Sequence, residues 1–223
     1  MNRPIKKIVI VGGGSAGWLT ASIIASEHET SGEHAIEITL IESPDVATVG
    51  VGEGTWPSMR QTLKNIGVSE TEFLIQCDAS FKQASKFDNW ITGSGDSYFH
   101  PFTTPSGYFE TNIAEFWQPH SDKVSFADAT TAQSHLCKQG LAPKQISTPE
   151  YSFACNYGYH LDAGKFSQFL QKHCSEKLGV KHVLDHVVKI NNHDNGDIAS
   201  VSSKHNGDIE GYSSIAQVLN HSY

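Results

Sequence analysis

Apolar and polar positions divide the chain into an ordered start, an irregular middle and an ordered end. The stretch KIVIVGGGSAGWLTASIIASEHE opens with a short β-branched run, turns through glycines, and continues with Trp18, Leu19, Ile23 and Ile24 at helical spacing. A second apolar run, AIEITLIES, closes on Glu42, so strand, helix and strand make one βαβ unit. GVGEGTWPSMRQTLKNIG reads as a glycine-rich loop entering a helix, with Pro57 suited to the first turn and Gly67 to the C-terminal cap. Ser69 and Glu72 have the spacing of a capping box for a further helix towards Cys77. FKQASKFDNW, Phe81 to Trp90, reads as helical, with Lys82 and Lys86 one turn apart among aromatic side chains.

From Ile91 to about Tyr157 the periodicity dissolves into Gly, Ser, Thr, Pro and aromatics, which predicts long loops with short helices. Asp162 is placed to cap a helix ending at Gly179. The remainder alternates and carries Asn195-Gly196 and Asn206-Gly207, two hairpin turns of an antiparallel meander. The expected organisation is residues 1–90 as a cofactor-binding βαβ unit with helices, 91–157 as a loop-rich insertion belonging to the substrate region, and 158–223 as the helix and meander of the cofactor module. No internal repeat is visible.

Composition narrows the function classes. At 223 residues and 38% hydrophobic content the chain can bury one substantial core. The formal charge of -8, from 16 basic and 24 acidic side chains, repels a phosphate backbone, so nucleic acid is not an expected partner. The apolar run Ile8 to Val11 is too short for a secretion signal or a bilayer span, and the expectation is a soluble cytoplasmic protein without a membrane partner. Cys77, Cys137, Cys155 and Cys174 form no CxxC pair and no zinc-like spacing, so free thiols are expected and no metal site.

Gly12, Gly14 and Gly17 form a GxGxxG between a strand and a helix, the context in which that pattern signals dinucleotide binding. Backbone amides at the helix start, around Ser15 and Ala16, can hold a pyrophosphate that the glycines allow to approach. Glu42, closing the second strand, is placed to accept from ribose hydroxyls, and an acid there favours FAD or NAD over a 2′-phosphorylated cofactor. A long segment and a meander after the βαβ unit favour a flavin, by analogy of element order.

Together, GGGSAGW (12–18), GVGEGTWP (50–57) and FKQASKFDNW (81–90) resemble the flavin-dependent tryptophan halogenase family, and the likeness continues through YFHPF (98–102) and YHLDAGKFSQFL to EKLGVKHVLDHVVKI. The resemblance implies an α/β, Rossmann-like FAD/NAD(P)-binding fold of the flavin-monooxygenase type, with an antiparallel meander and a loop-rich substrate region. It implies reduced FAD from a separate flavin reductase, oxygen, and a halide oxidised to hypohalous acid that reaches a small aromatic substrate. Lys82 matches the lysine that hydrogen-bonds or captures the hypohalous species, and Lys86 is the bystander. Walled by Phe81, Phe87 and Trp90, such a lysine is expected to lose hydration and have its pKa lowered. Gly52 falls in the flavin-binding loop, and Glu53 lies between flavin and substrate pocket. Val187 falls where the family contacts the adenine end, though it equally fits plain core. His100 and Trp56 fall near the substrate pocket, and a histidine beside Pro101 also fits a structural role.

Two departures matter. Many tryptophan-specific members carry alanine and isoleucine where this chain has Gly54 and Trp56, which points away from free tryptophan and leaves indole-like or larger aromatics open. Family members are also much longer: the Trp-x-Trp-x-Ile-Pro signature, the catalytic glutamate, the halide site and the strand that rejoins the parallel sheet are absent, and QVLNHSY matches nothing expected there. The expected fold is therefore incomplete at its C-terminus. Three functions stay open: a halogenase acting on an electron-rich aromatic, a non-catalytic dinucleotide-binding fragment, and a flavin monooxygenase that hydroxylates.

Overall fold

Strand β1 (Lys7–Val11) and strand β2 (Glu37–Glu42) are apolar runs buried on both faces, as parallel strands covered by helices must be. They pair in parallel, Val9 opposite Thr39, and helix α1 (Ser15–Glu27) makes the crossover between them. The computed structural model describes residues 5–46 and 53–211, so Gly52 and the terminal QVLNHSY lie outside the described residues. After β2 come β3 (Glu53–Gly54), α2 (Ser58–Asn65), α3 (Glu70–Gln76), β4 (Ser80–Lys82), β5 (Ala84–Asp88) and β6 (Ser97–Pro101). The middle then holds three one-turn helices, α4 (Ile113–Trp117), α5 (Phe126–Thr130) and α6 (Gln133–Lys138). Strand β7 (Gly158–Leu161), the long helix α7 (Ala163–Lys177), and strands β8 (Lys181–Leu184), β9 (Val187–Asn192), β10 (Ile198–Ser203) and β11 (Gly207–Glu210) complete the order. None of the described helices is long and apolar enough to cross a membrane.

The chain forms two units, each assembled from separated segments. One contains residues 1–52, 62–78 and 161–223; the other contains 53–61 and 79–160. In the first, β8 adds in parallel to β2, giving the order β1-β2-β8. Ile10, Leu40, Ile38 and Ile41 are essentially dry. Helix α1 buries Trp18, Ala21, Ser22 and Ala25, not the aliphatic stripe, and Ile23 is exposed. Small residues win that face because α7 packs there: the Ser15 and Ser167 hydroxyls bond at 2.9 Å, and Ser22 meets the Cys174 thiol at 3.0 Å.

The predicted caps and turns form in this unit. The Ser69 hydroxyl accepts from the Glu72 amide and the Asp162 carboxylate from the Lys165 amide. Both Asn-Gly pairs turn the β11-β10-β9 meander, with Gly196 and Gly207 at φ +89° and +71°. Val201 joins Val9 and Ile41 in one apolar cluster that binds the meander to the sheet, and the half-buried Val187 packs on its edge. The buried Asp185 secures the meander's turn through the amides of His205 and Asn206, at 2.9 and 3.0 Å. Burial pushes its pKa up, but hydrogen bonds from the His205 amide, the Asn206 side chain and the His186 amide outweigh it and hold the carboxyl well below its usual range.

The second unit contains the sheet β3-β7-β4 and the β5–β6 hairpin. Residues 80–82 and 84–88 are therefore two strands and not a helix, and Asn89 and Trp90 lie in the turn that follows. Strand pairing, not an apolar period in FKQASKFDNW, fixes this conformation: β4 pairs with β7 and β5 with β6. Lys82 ends β4 opposite Gly158, whereas Lys86 sits in β5 opposite Phe99 and pairs with Asp88 at 2.9 Å. The two lysines belong to different sheets instead of one helix face.

Candidate functional site

The glycine turn between β1 and α1 has the geometry of a dinucleotide cradle. Gly12 takes φ +117° and donates its amide to the Ile41 carbonyl at 2.8 Å. Gly14 is the N-cap of α1, extended and without a side-chain cap, and a Cβ added there meets nothing within 4 Å. A side chain there would occupy the open space a phosphate needs, in front of the amide groups of a 13-residue helix. The exposed Ala16 follows Ser15 in that first turn. Gly17 is required for packing: a Cβ would lie 1.9 Å from the Gly12 carbonyl oxygen.

Glu42 lies against this turn. Its carboxyl sits where a Cβ on Gly13 would go, 2.0 Å from the carboxyl carbon. His182 Nε2 meets Glu42 Oε2 at 3.0 Å, and Gln171 Nε2 meets His182 Nδ1 at 3.0 Å. The open space at Gly14, the helix start and the adjacent carboxylate fit the diphosphate and ribose of an ADP-containing cofactor. Gly13, His182 and Gln171 escaped the sequence reading. The run of three glycines was the available signal for Gly13, and nothing local marks a histidine so far from Glu42 in sequence.

In the second unit Lys82 is framed by rings. Its Nζ lies 5.5 Å from the Trp56 ring centre and 5.6 Å from that of Phe102, and the two rings are tilted at 5.6 Å from each other. The expected walls were Phe81, Phe87 and Trp90; instead Phe87 stacks on Tyr98 at 5.0 Å in the hairpin, with Trp90 against it. Alternation along β4 and β5 turns these side chains to other neighbours. Gly54 makes room for the amine, because a Cβ there would lie 2.9 Å from Nζ. Lys82 also lines an open cavity of about 390 Å³ with Phe81, Phe99, Cys137 and His160. The His160 pKa is pushed below its ordinary value by partial desolvation and then by the Lys82 charge. Trp56 is 63% exposed, Glu53 is half-buried in β3, and His100 is exposed on β6 opposite Ser85.

A polar network fixes the Phe102 wall. Asn156 donates to the Phe102 carbonyl at 3.0 Å, its amide donates to the Thr103 hydroxyl at 2.8 Å, and its carbonyl accepts from the fully buried Gln133. Gln133 in turn accepts from the Thr103 amide at 2.7 Å. Arg60 bonds the Asn156 side chain and the Tyr157 carbonyl, and its guanidinium lies between the rings of Phe153 and Tyr157 at 4.0 and 4.5 Å.

The sequence profile of the tryptophan halogenase family matches residues 7–214. The chain belongs to that family. It is 32% identical over 218 residues to tryptophan 7-halogenase RebH of Lentzea aerocolonigenes, covering 90% of this chain and 40% of that protein. Tryptophan 6-halogenase SttH of Streptomyces toxytricini is 30% identical over 226 residues, covering 92% of this chain and 42% of its own length. Among solved structures, a tryptophan halogenase from Shewanella frigidimarina NCIMB 400 superposes with a TM-score of 0.88 at 53% identity, over 94% of this chain and 41% of that one. The chain thus spans about two fifths of the length of these relatives. The α/β architecture expected from the resemblance agrees with these neighbours.

Proposed function

We propose that this chain carries the nucleotide-binding cradle and the reactive-lysine wall of an FAD-dependent halogenase, whose reaction places a halogen on an electron-rich, indole-like ring. The observation that carries the reading is Lys82, framed by Trp56 and Phe102 and lying over a strand that Gly54 leaves bare. Family membership directs that chemistry towards halogenation, and the relatives' names point to tryptophan-like substrates.

The backbone amides at Ser15 and Ala16 and the Glu42 carboxylate hold the ADP portion of FAD, with Gly52, Glu53 and Val187 as the remaining contacts carried over from the family. Bound and reduced by a separate flavin reductase, the cofactor supplies the electrons with which oxygen and halide become an oxidant. The chain's part is then to position. The Lys82 amine hydrogen-bonds the oxygen of hypohalous acid, or takes its halogen with loss of water, while the rings on either side limit hydration. Aromatic carbon attacks the halogen, the ring loses its proton, and the amine is restored. Trp56 and His100 border the volume the substrate enters, and the indole of Trp56 favours flat aromatics that stack on it.

The test supplies the protein with FAD, a flavin reductase, NADH, oxygen and bromide, and screens tryptophan, indole and larger indoles by mass spectrometry. In protein extended to the length of the relatives, of which this chain spans about two fifths, the expected result is a monobrominated product that Lys82→Ala abolishes. Hydroxylated product in place of bromide incorporation assigns a monooxygenase, and FAD uptake without any product across the panel assigns a binding module.

A further inference from the structure

We infer that His182, held by Gln171, fixes the orientation of the Glu42 carboxylate and so acts as a specificity-determining positioning residue for the ribose of the bound nucleotide. The inference rests on the proposed FAD cradle and adds to it residues outside the glycine motif. An amide nitrogen only donates, so the 3.0 Å contact from Gln171 Nε2 makes His182 Nδ1 an acceptor. The ring proton then lies on Nε2, which donates to Glu42 Oε2 at 3.0 Å. The direction of each bond follows from the one before it.

Two further contacts hold this arrangement. Trp18, 1% exposed, meets the His182 ring edge-on at 5.1 Å and holds its plane. Gly13 supplies the hollow that receives the carboxyl, with Oε1 only 2.4 Å from where a Cβ would stand. The Glu42 and His182 side chains keep 22% and 15% of their surface open, so the pair is reachable from outside while Oε2 is taken by His182. The unshared acceptor capacity of Oε1 is thereby aimed beside the glycine turn, where a ribose hydroxyl of a nucleotide seated at Gly14 can donate to it. A freely rotating glutamate would spread that capacity over several rotamers. A phosphate on the 2′ oxygen would meet a fixed negative charge instead.

The experiment compares ADP with 2′-deoxy-ADP by calorimetric titration of the full chain, with FAD binding measured in parallel. Wild type is expected to bind ADP about tenfold more tightly than the deoxy analogue, the scale of one hydrogen bond to a charged acceptor. His182→Leu should bring that ratio close to one, and His182→Gln, which keeps an amide donor, should recover much of it. Gln171→Met removes only the contact to Nδ1 and should lower the ratio partway, which keeps the test decisive if His182→Leu fails to fold. A wild-type ratio retained in both His182→Leu and Gln171→Met overturns the positioning role and leaves the cradle standing. Failure of wild type to take up either FAD or ADP removes the cradle, and this inference with it.

Discussion

Around α1 the glycine turn itself is shaped by backbone: strand pairs with strand, the Gly12 amide bonds Ile41, and Gly17 packs against the Gly12 carbonyl. Around Lys82 the shaping bonds run from side chains into backbone, through Arg60, Gln133, Asn156 and the Thr55 hydroxyl, which accepts from Tyr159 at 2.9 Å. The large apolar side chains that the first unit exposes are aliphatic, such as Ile75, Leu184 and Val188, whereas the second exposes the rings of Trp56, Trp90, Phe109 and Phe116. A backbone-built cradle suits a ligand that is the same across many reactions. A side-chain-built frame can be re-cut one residue at a time, which suits the part of an enzyme that meets variable substrates.

The sharpest break in the cradle is Gly17→Ala. The new methyl meets backbone, not a flexible side chain, so strand and helix must separate, at about 3 kcal/mol or more. FAD uptake should be lost and the unfolding midpoint should fall, both read in one thermal scan with and without flavin. In the other unit the corresponding break is Gln133→Leu, which removes the partners of the Thr103 amide and the Asn156 carbonyl and costs about 2 to 4 kcal/mol. If the two units rely on separate bonds, Gln133→Leu should leave the FAD dissociation constant within about twofold of wild type. A larger loss of flavin affinity would show that the frame supports the cradle.

The same contrast decides how much was legible in the sequence. β1, α1, β2, both caps and both Asn-Gly turns were readable because each is a local rule written in neighbouring residues. The strand character within 81–90 was not, because the stretch is short and its lysines, four apart, imitate helical spacing. Its first residues pair with Gly158 to His160, which no local window contains, and only 84–88 pair nearby, with 97–101. The helical spacing found α1 but not its buried face: Ala21, Ser22 and Ala25 give little apolar signal, yet they are buried where α7 packs while Ile23 is exposed. Lys82 was found by motif, while its neighbours Phe102 and Trp56 come from distant loops that strand pairing brings together.

Cysteines separate the units more gently. Burial raises the Cys77 thiol from 9.0 to about 12, with further contributions from Asp162 and Asp78. Burial likewise raises Cys174 to about 11, only partly offset by its bond to Ser22. Both lie in the first unit, where the folded state favours the neutral thiol. That stability is present in full below the ordinary value of 9.0 and is lost as pH rises towards 11 and 12, so the unfolding midpoint should fall above pH 9. At pH 8 iodoacetamide should spare Cys77 and Cys174 in folded protein while reaching the half-buried Cys155 of the second unit. Equal labelling of all four would mean that the first unit opens readily.

The smallest expected effect on stability comes from Trp56→Ala. The ring is mostly in solvent, and its contacts to Lys82 and Phe102 contribute about 0.5 kcal/mol each, so the unfolding midpoint should move by no more than a few degrees. The consequence should appear in substrate choice instead, because this side chain fills space beside the amine. In protein extended to the relatives' length, Trp56→Ile should therefore raise turnover of free tryptophan relative to larger indoles in the proposed bromination assay. Thermal scans should stay near wild type. An unchanged substrate ranking, with stability intact, would make Trp56 a lid over Lys82 with no part in selection, and would move the search for specificity to Phe99 and His160 across the cavity.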